Sequence, residues 1–105
     1  MVRISVLYPN EPGRRFDLDY YVRTHMALVH ARWDALGLRR IEVDRGLAGA
    51  APGAPAPFVC IGHLYFDSLE AFQDAMAKHG RELVADVPNF TDLTPQFQIS
   101  EILPA

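Results

Sequence analysis

One cysteine, Cys60, is all the chain has in 105 residues. No intrachain disulfide can staple it, and no CxxC pair is available to hold a metal. Basic runs are also missing. Beyond the pairs Arg14–Arg15 and Arg39–Arg40 the cations are scattered, and a net charge of −3 leaves no electrostatic footprint for nucleic acid. No apolar run approaches the roughly 18 residues of a membrane span. The opening MVRISVLYP lacks the apolar stretch and cleavage site of a secretion signal, so a cytoplasmic location is expected. GxGxxG, the P-loop, GxSxG and HxxxH are all absent. Nicotinamide, nucleotide, serine-hydrolase and metal readings therefore have no local motif, and no cofactor is expected. What remains is 50% hydrophobic and 22% charged, an ordinary globular balance. At this length one domain over residues 1–105 is expected.

The most informative stretch is Phe16–Leu36, FDLDYYVRTHMALVHARWDAL. Stepped at 100° per residue, Leu18, Val22, Val29, Trp33 and Leu36 fall within about 60° of arc, with Tyr21 and Leu28 on the flank, as in an amphipathic helix. Asp17 can cap its start, Phe16 and Tyr21 can form a hydrophobic staple, and Gly37 stands where a left-handed C-cap is wanted. Asp19, Arg23, His30 and Asp34 take the opposite, solvated face. His25, however, falls inside the apolar stripe. Burial there disfavours the charged imidazolium, as a general base requires, unless a carboxylate stands close.

The other elements follow by alternation and turn chemistry. Val2–Tyr8 reads as a strand, Leu38–Leu47 as a half-exposed edge strand, and Phe58–Phe66 as a central strand apolar on both faces except at His63. Asp67-Ser68-Leu69-Glu70 opens a second helix with a buried stripe of Leu69, Phe72, Met76 and Leu83, and Gly80 is a candidate interruption or C-cap. Val84–Thr94 is turn-rich, and Pro95–Leu103 closes as a strand with Phe97 and Ile99 inward. Gly46–Pro57, GLAGAAPGAPAP, cannot form regular structure and is expected to be the most mobile internal segment.

The order β-α-β-β-α-β predicts an α+β, ferredoxin-like fold with a four-stranded antiparallel sheet and both helices on one face. The doubly apolar central strand then leaves a second apolar face to cover, which predicts a homodimer packed sheet to sheet.

The helix pattern Y-x-x-x-H-x-x-L through Tyr21, His25 and Leu28, opened by Phe16 or Asp17, resembles the EthD family. So do the strand end Leu64-Tyr65-Phe66-Asp67-Ser68 and the helix opening Leu69-Glu70-Ala71-Phe72. Ala27 stands where the family's helix usually has proline. The resemblance implies a cytoplasmic, homodimeric domain of the dimeric α/β-barrel superfamily, nominally an oxidoreductase, with a small-molecule cavity between helices and sheet. The strand around Ile61–Ser68 also resembles that of muconolactone-type isomerases, whose helix histidine matches His25. Ile41 stands where one of them has a tyrosine.

His25 is thus the candidate catalytic base. The cavity around it is expected to draw on Tyr21, one turn earlier, with Leu28, Leu64, Phe66, the head of Arg32 and His63. For His63 the alternative is the opposite sheet face, against a dimer partner. Cys60 reads as an inert buried thiol. Two function classes fit these residues: a metal-free enzyme moving a proton on a small, apolar, oxygenated molecule, and a binding or accessory protein that holds such a molecule unchanged.

Overall fold

The structure, a computed structural model, describes residues 1–105. Strands β1 (Val2–Pro9), β2 (Leu38–Arg45), β3 (Phe58–Phe66) and β4 (Gln96–Glu101) form one antiparallel sheet in the order β2-β3-β1-β4. Helix α1, running from Leu18 to Leu36, joins β1 to β2, and α2 (Leu69–Asp86) joins β3 to β4. Ile4, Val6 and Tyr8 of β1 and Cys60, Leu64 and Phe66 of β3 share one sheet face. They form a single buried cluster with Met26, Val29 and Trp33 of α1 and Ala75 and Leu83 of α2. Both helices therefore cover the same face, as the element order predicts.

The start and end of α1 match the sequence. Asp17 accepts the Tyr20 N–H at 3.0 Å, the Phe16 and Tyr21 rings meet edge-on at 5.3 Å, and Gly37 takes φ 106° at the end. Its middle does not. Tyr21–His25 is a π-helical turn, in which the Met26 N–H donates to the Tyr21 carbonyl five residues back. That wider turn breaks the uniform 100° progression. Val22, expected in the buried stripe, is 48% exposed, and Met26 takes an inward place.

Helix α2 starts at Ser68, whose hydroxyl accepts the Ala71 N–H at 3.1 Å. It runs through Gly80 to Asp86 without the interruption expected there. Its buried face is centred on small residues, Ala75 and Gly80, together with Leu83. Close approach through those residues turns Leu69 and Met76 outward, at 38% exposure each. Phe97 and Ile99 of β4 lie opposite Val6 and Ile4, on the helix side. They are exposed rather than inward, because this edge strand lies beyond the helices' cover.

The uncovered sheet face also departs from expectation. Register places Arg3 beside Tyr65, Ser5 beside His63 and Leu7 beside Ile61, with Arg40, Glu42 and Asp44 of β2 alongside. Tyr65 donates to Glu42 at 2.6 Å and lies under the Arg40 guanidinium, 4.2 Å from its ring centre. This face mixes Leu7, Val59 and Ile61 with polar and charged groups, so it is not the continuous apolar patch from which the dimer was expected. Alternation along β3 alone misses what β1 and β2 contribute to the same surface.

Gly46–Pro57 is irregular, as expected. It is held at a few points: Gly49 N–H donates to the Ala54 carbonyl at 2.8 Å, and the Asn10 amide to the Ala56 carbonyl at 2.9 Å. Amide hydrogen exchange should show Leu47, Ala48 and Ala50 exchanging faster than any β3 amide, with Gly49 and Ala54 slower than their neighbours. Protection of the whole segment equal to that of β3 would refute this.

Candidate active site

His25 enters the core from the π-helical turn and is 7% exposed. Its Nδ1 lies 2.8 Å from Asp86 Oδ2. Asp86 is the last residue of α2, and its other oxygen accepts the Tyr20 hydroxyl at 2.8 Å and the Asn89 amide at 2.9 Å. The Tyr21 ring is nearly parallel to the imidazole, 5.6 Å away and inclined by 12°, while Phe90 closes another side at 4.8 Å. A carboxylate at Nδ1 assigns the proton of the neutral ring to that nitrogen and leaves the lone pair on Nε2.

The same histidine lines a cavity of about 80 Å³ between the helices and the sheet, with Val6, Tyr8, Tyr21, Met26, Trp33, Leu64 and Leu83 among its walls. Its outer rim is Met76, Val84 and Phe97, all partly exposed. The depth of Tyr21 depends on Gly62 in β3: any Cβ there would collide with the Tyr21 hydroxyl.

Charge in the site is concentrated on one carboxylate. Burial alone would raise the Asp86 carboxyl, but hydrogen bonds from His25, Asn89 and Tyr20 outweigh it and hold the group below its ordinary value. Its negative charge in turn raises the Tyr20 phenol through the bond they share. Burial pushes the Tyr8 and Tyr21 phenols up and the Cys60 thiol up to about 12. All three stay neutral near pH 7, which makes Cys60 a packing residue rather than a nucleophile.

Of the residues expected at the cavity, His25, Tyr21 and Leu64 come together there. The other four do not. Leu28 is half-buried behind the lining. Phe66 packs between Trp33 and Phe72, at 5.6 and 5.4 Å. Arg32 is drawn away by a bidentate pair with Glu82 of α2, at 2.8 and 3.0 Å. His63 sits on the uncovered sheet face, 2.8 Å from Asp44 and 3.3 Å from the Ser5 hydroxyl. Sequence reasoning missed Asp86, which lies 61 residues from His25 and 66 from Tyr20, and with it Tyr20 and the local Asn89. An acidic residue just before Pro88-Asn89 was the one available hint. No group of three or more His, Cys, Asp or Glu side chains is placed to hold a metal ion. No helix is long and apolar enough to cross a membrane.

A family model for the EthD domain matches residues 14–94, a span that contains both His25 and Asp86. The chain belongs to the EthD family. An EthD-like protein from Ralstonia eutropha JMP134 shares 42% identity with it and superposes with a TM-score of 0.92, covering 98% of this chain and 92% of that one. An EthD family protein from Bacillus halodurans C-125 is 27% identical, with a TM-score of 0.73 over 98% and 99% of the two chains. A dimeric ferredoxin-like protein from an uncultured marine organism shares the fold alone, at 12% identity and a TM-score of 0.62 over 99% and 95%. A search of curated proteins finds no significant match.

In this EthD chain the Asp86 carboxyl is depressed on folding. Its contribution to stability is therefore complete above the ordinary aspartate value of 3.8 and is lost as pH falls through the lower folded value. Urea unfolding of wild type and Asp86→Asn should give a stability gap that is constant at neutral pH and shrinks below about pH 4. A gap unchanged down to pH 2 would mean that the carboxylate gains nothing from its three donors.

Proposed function

We propose that this EthD-family chain is a small-molecule enzyme, nominally an oxidoreductase, in which His25 is a general base acting on a small, apolar, oxygenated compound. The observation that carries the reading is the 2.8 Å contact between His25 Nδ1 and Asp86 beside an apolar cavity. The carboxylate fixes the tautomer and stabilises the imidazolium formed when Nε2 takes a proton. One positioned base contributes about 10²–10⁴-fold, enough for enolisation, dehydration or isomerisation of a substrate already activated by a carbonyl. In an isomerisation, Nε2 removes a proton next to the carbonyl, the C–H electron pair enters the enolate, and the same proton returns at another carbon. Hydride transfer and ether oxygenation need a redox group beyond a single base. Proton transfer is therefore the step we assign to these residues.

The protein works, in this reading, as a cytoplasmic homodimer of one domain over residues 1–105, without a bound metal or nucleotide. The dimeric description of the marine ferredoxin-like protein supports the assembly. So do the exposed Phe97 and Ile99 of β4, which a partner would cover.

A second reading, a binding or accessory protein, is favoured by the sparse polarity of the cavity. The Trp33 indole N–H is committed to the Ala75 carbonyl at 3.0 Å, so only His25 and buried tyrosine hydroxyls remain. The two readings separate on proton exchange at a small carbonyl. Butanone in D2O should exchange its α-protons faster with wild-type protein, and His25→Ala and His25→Gln should lose that acceleration. Equal exchange with wild type and both variants, alongside equal binding, would favour the accessory reading.

A further inference from the structure

The cavity beside His25 shares one wall with a second recess. This is a groove of about 580 Å³ between α1 and the β2 edge, floored by Val22, Ile41 and Val43 and rimmed by Arg23, His30 and Arg45. Met26 is the single residue that lines both spaces. Its methyl group ends over Gly62, where a Cβ would stand 3.4 Å from it. Gly62 itself puts no side chain beneath it. An unbranched thioether with three side-chain torsions changes shape at little cost, so this wall can move without unfolding the core.

Size and charge both point to a ligand that needs the two recesses together. The cavity alone, at about 80 Å³, is smaller than the roughly 150 Å³ cavity that accepts benzene. Joined to the groove, it becomes long enough for an extended molecule. The groove lining holds three basic residues and no acid. Arg23 and His30 are bridged to Asp19 and Asp34 at the exposed rim, at 2.7 and 2.8 Å. Arg45, at the end of β2, is left to meet an incoming anion. The cavity's other rim, at Met76, Val84 and Phe97, offers no charge at all.

We propose that Met26 is a movable partition, and that the site takes an elongated apolar carboxylate. Its apolar end reaches His25, and its carboxylate lies at the Arg45 end of the groove. This rests on the reading of the His25 cavity as a ligand site and is independent of whether the ligand is transformed.

The three methionines, Met1, Met26 and Met76, supply the measurement, because they fall on neither recess, on both, and on the outer rim. In protein labelled with 13C at the methionine methyls, octanoate should shift Met26 and the His25 ring together and leave Met1 unchanged. 1-Octanol should bind about fivefold more weakly, the scale of one exposed ion pair. Arg45→Gln should remove that preference without weakening octanol. Met26→Leu, which conserves volume but stiffens the partition, should weaken octanoate several-fold. Four results would overturn the proposal: shifts at Met76 and His25 without Met26, a shift at Met26 without His25, equal binding of octanol and octanoate, or no octanoate binding at millimolar concentration. Any of these leaves the general-base reading to the butanone experiment, which reads proton exchange alone.

Discussion

The closing hydrogen bond of the turn Tyr21–His25 spans five residues instead of four, and the interior on the helix side depends on it. Across this turn Tyr21, His25 and Met26 all face inward, while Val22, which uniform α-helical spacing would set in the buried stripe, is turned out. Each of the three has a separate task. Tyr21 seats its hydroxyl in the space left by Gly62, His25 reaches Asp86, and Met26 closes the cavity toward β2. Val22 pays for this by facing solvent.

A second set of contacts holds Asp86 within reach of the histidine. Tyr8, Phe16, Tyr21 and Phe90 meet one another at ring separations from 4.9 to 5.9 Å, joining β1, the entry to α1 and the turn after α2. Around that cluster the backbone is tied across. The Asp17 N–H donates to the Phe90 carbonyl at 2.7 Å, Arg15 reaches the Pro88 carbonyl at 2.7 Å, and Phe16 pairs with Thr91. The beginning of one helix and the end of the other are thus locked together, and the histidine–carboxylate pair lies at that junction. Its geometry is set by rigid aromatic packing rather than by a loop.

The fold was legible because its signals are local. Asp17, Gly37 and Ser68 mark helix ends, and alternation in Val2–Tyr8 and Phe58–Phe66 marks strands. His25 was legible as well, since periodicity alone puts it among apolar residues. Asp86 was not, because its partner lies 61 residues away and nothing in its neighbourhood announces a buried carboxylate. The uncovered sheet face failed for a related reason. A strand's own sequence gives half of each surface it helps to build, and Arg3, Ser5, Glu42 and Asp44 arrive from its neighbours. Gly80 misled because a glycine inside a helix usually marks an end, whereas here its missing side chain leaves room for Met76.

Cys60 lies near the start of β3 with none of its surface exposed, and its thiol is held protonated far above neutral pH. Thiolate chemistry needs both access and ionisation, and the folded chain denies both. An alkylating reagent therefore meets this cysteine only in molecules whose sheet has parted from its helices. The chain carries its own clock for such openings: where labelling outpaces reclosing, its rate counts how often the core comes apart.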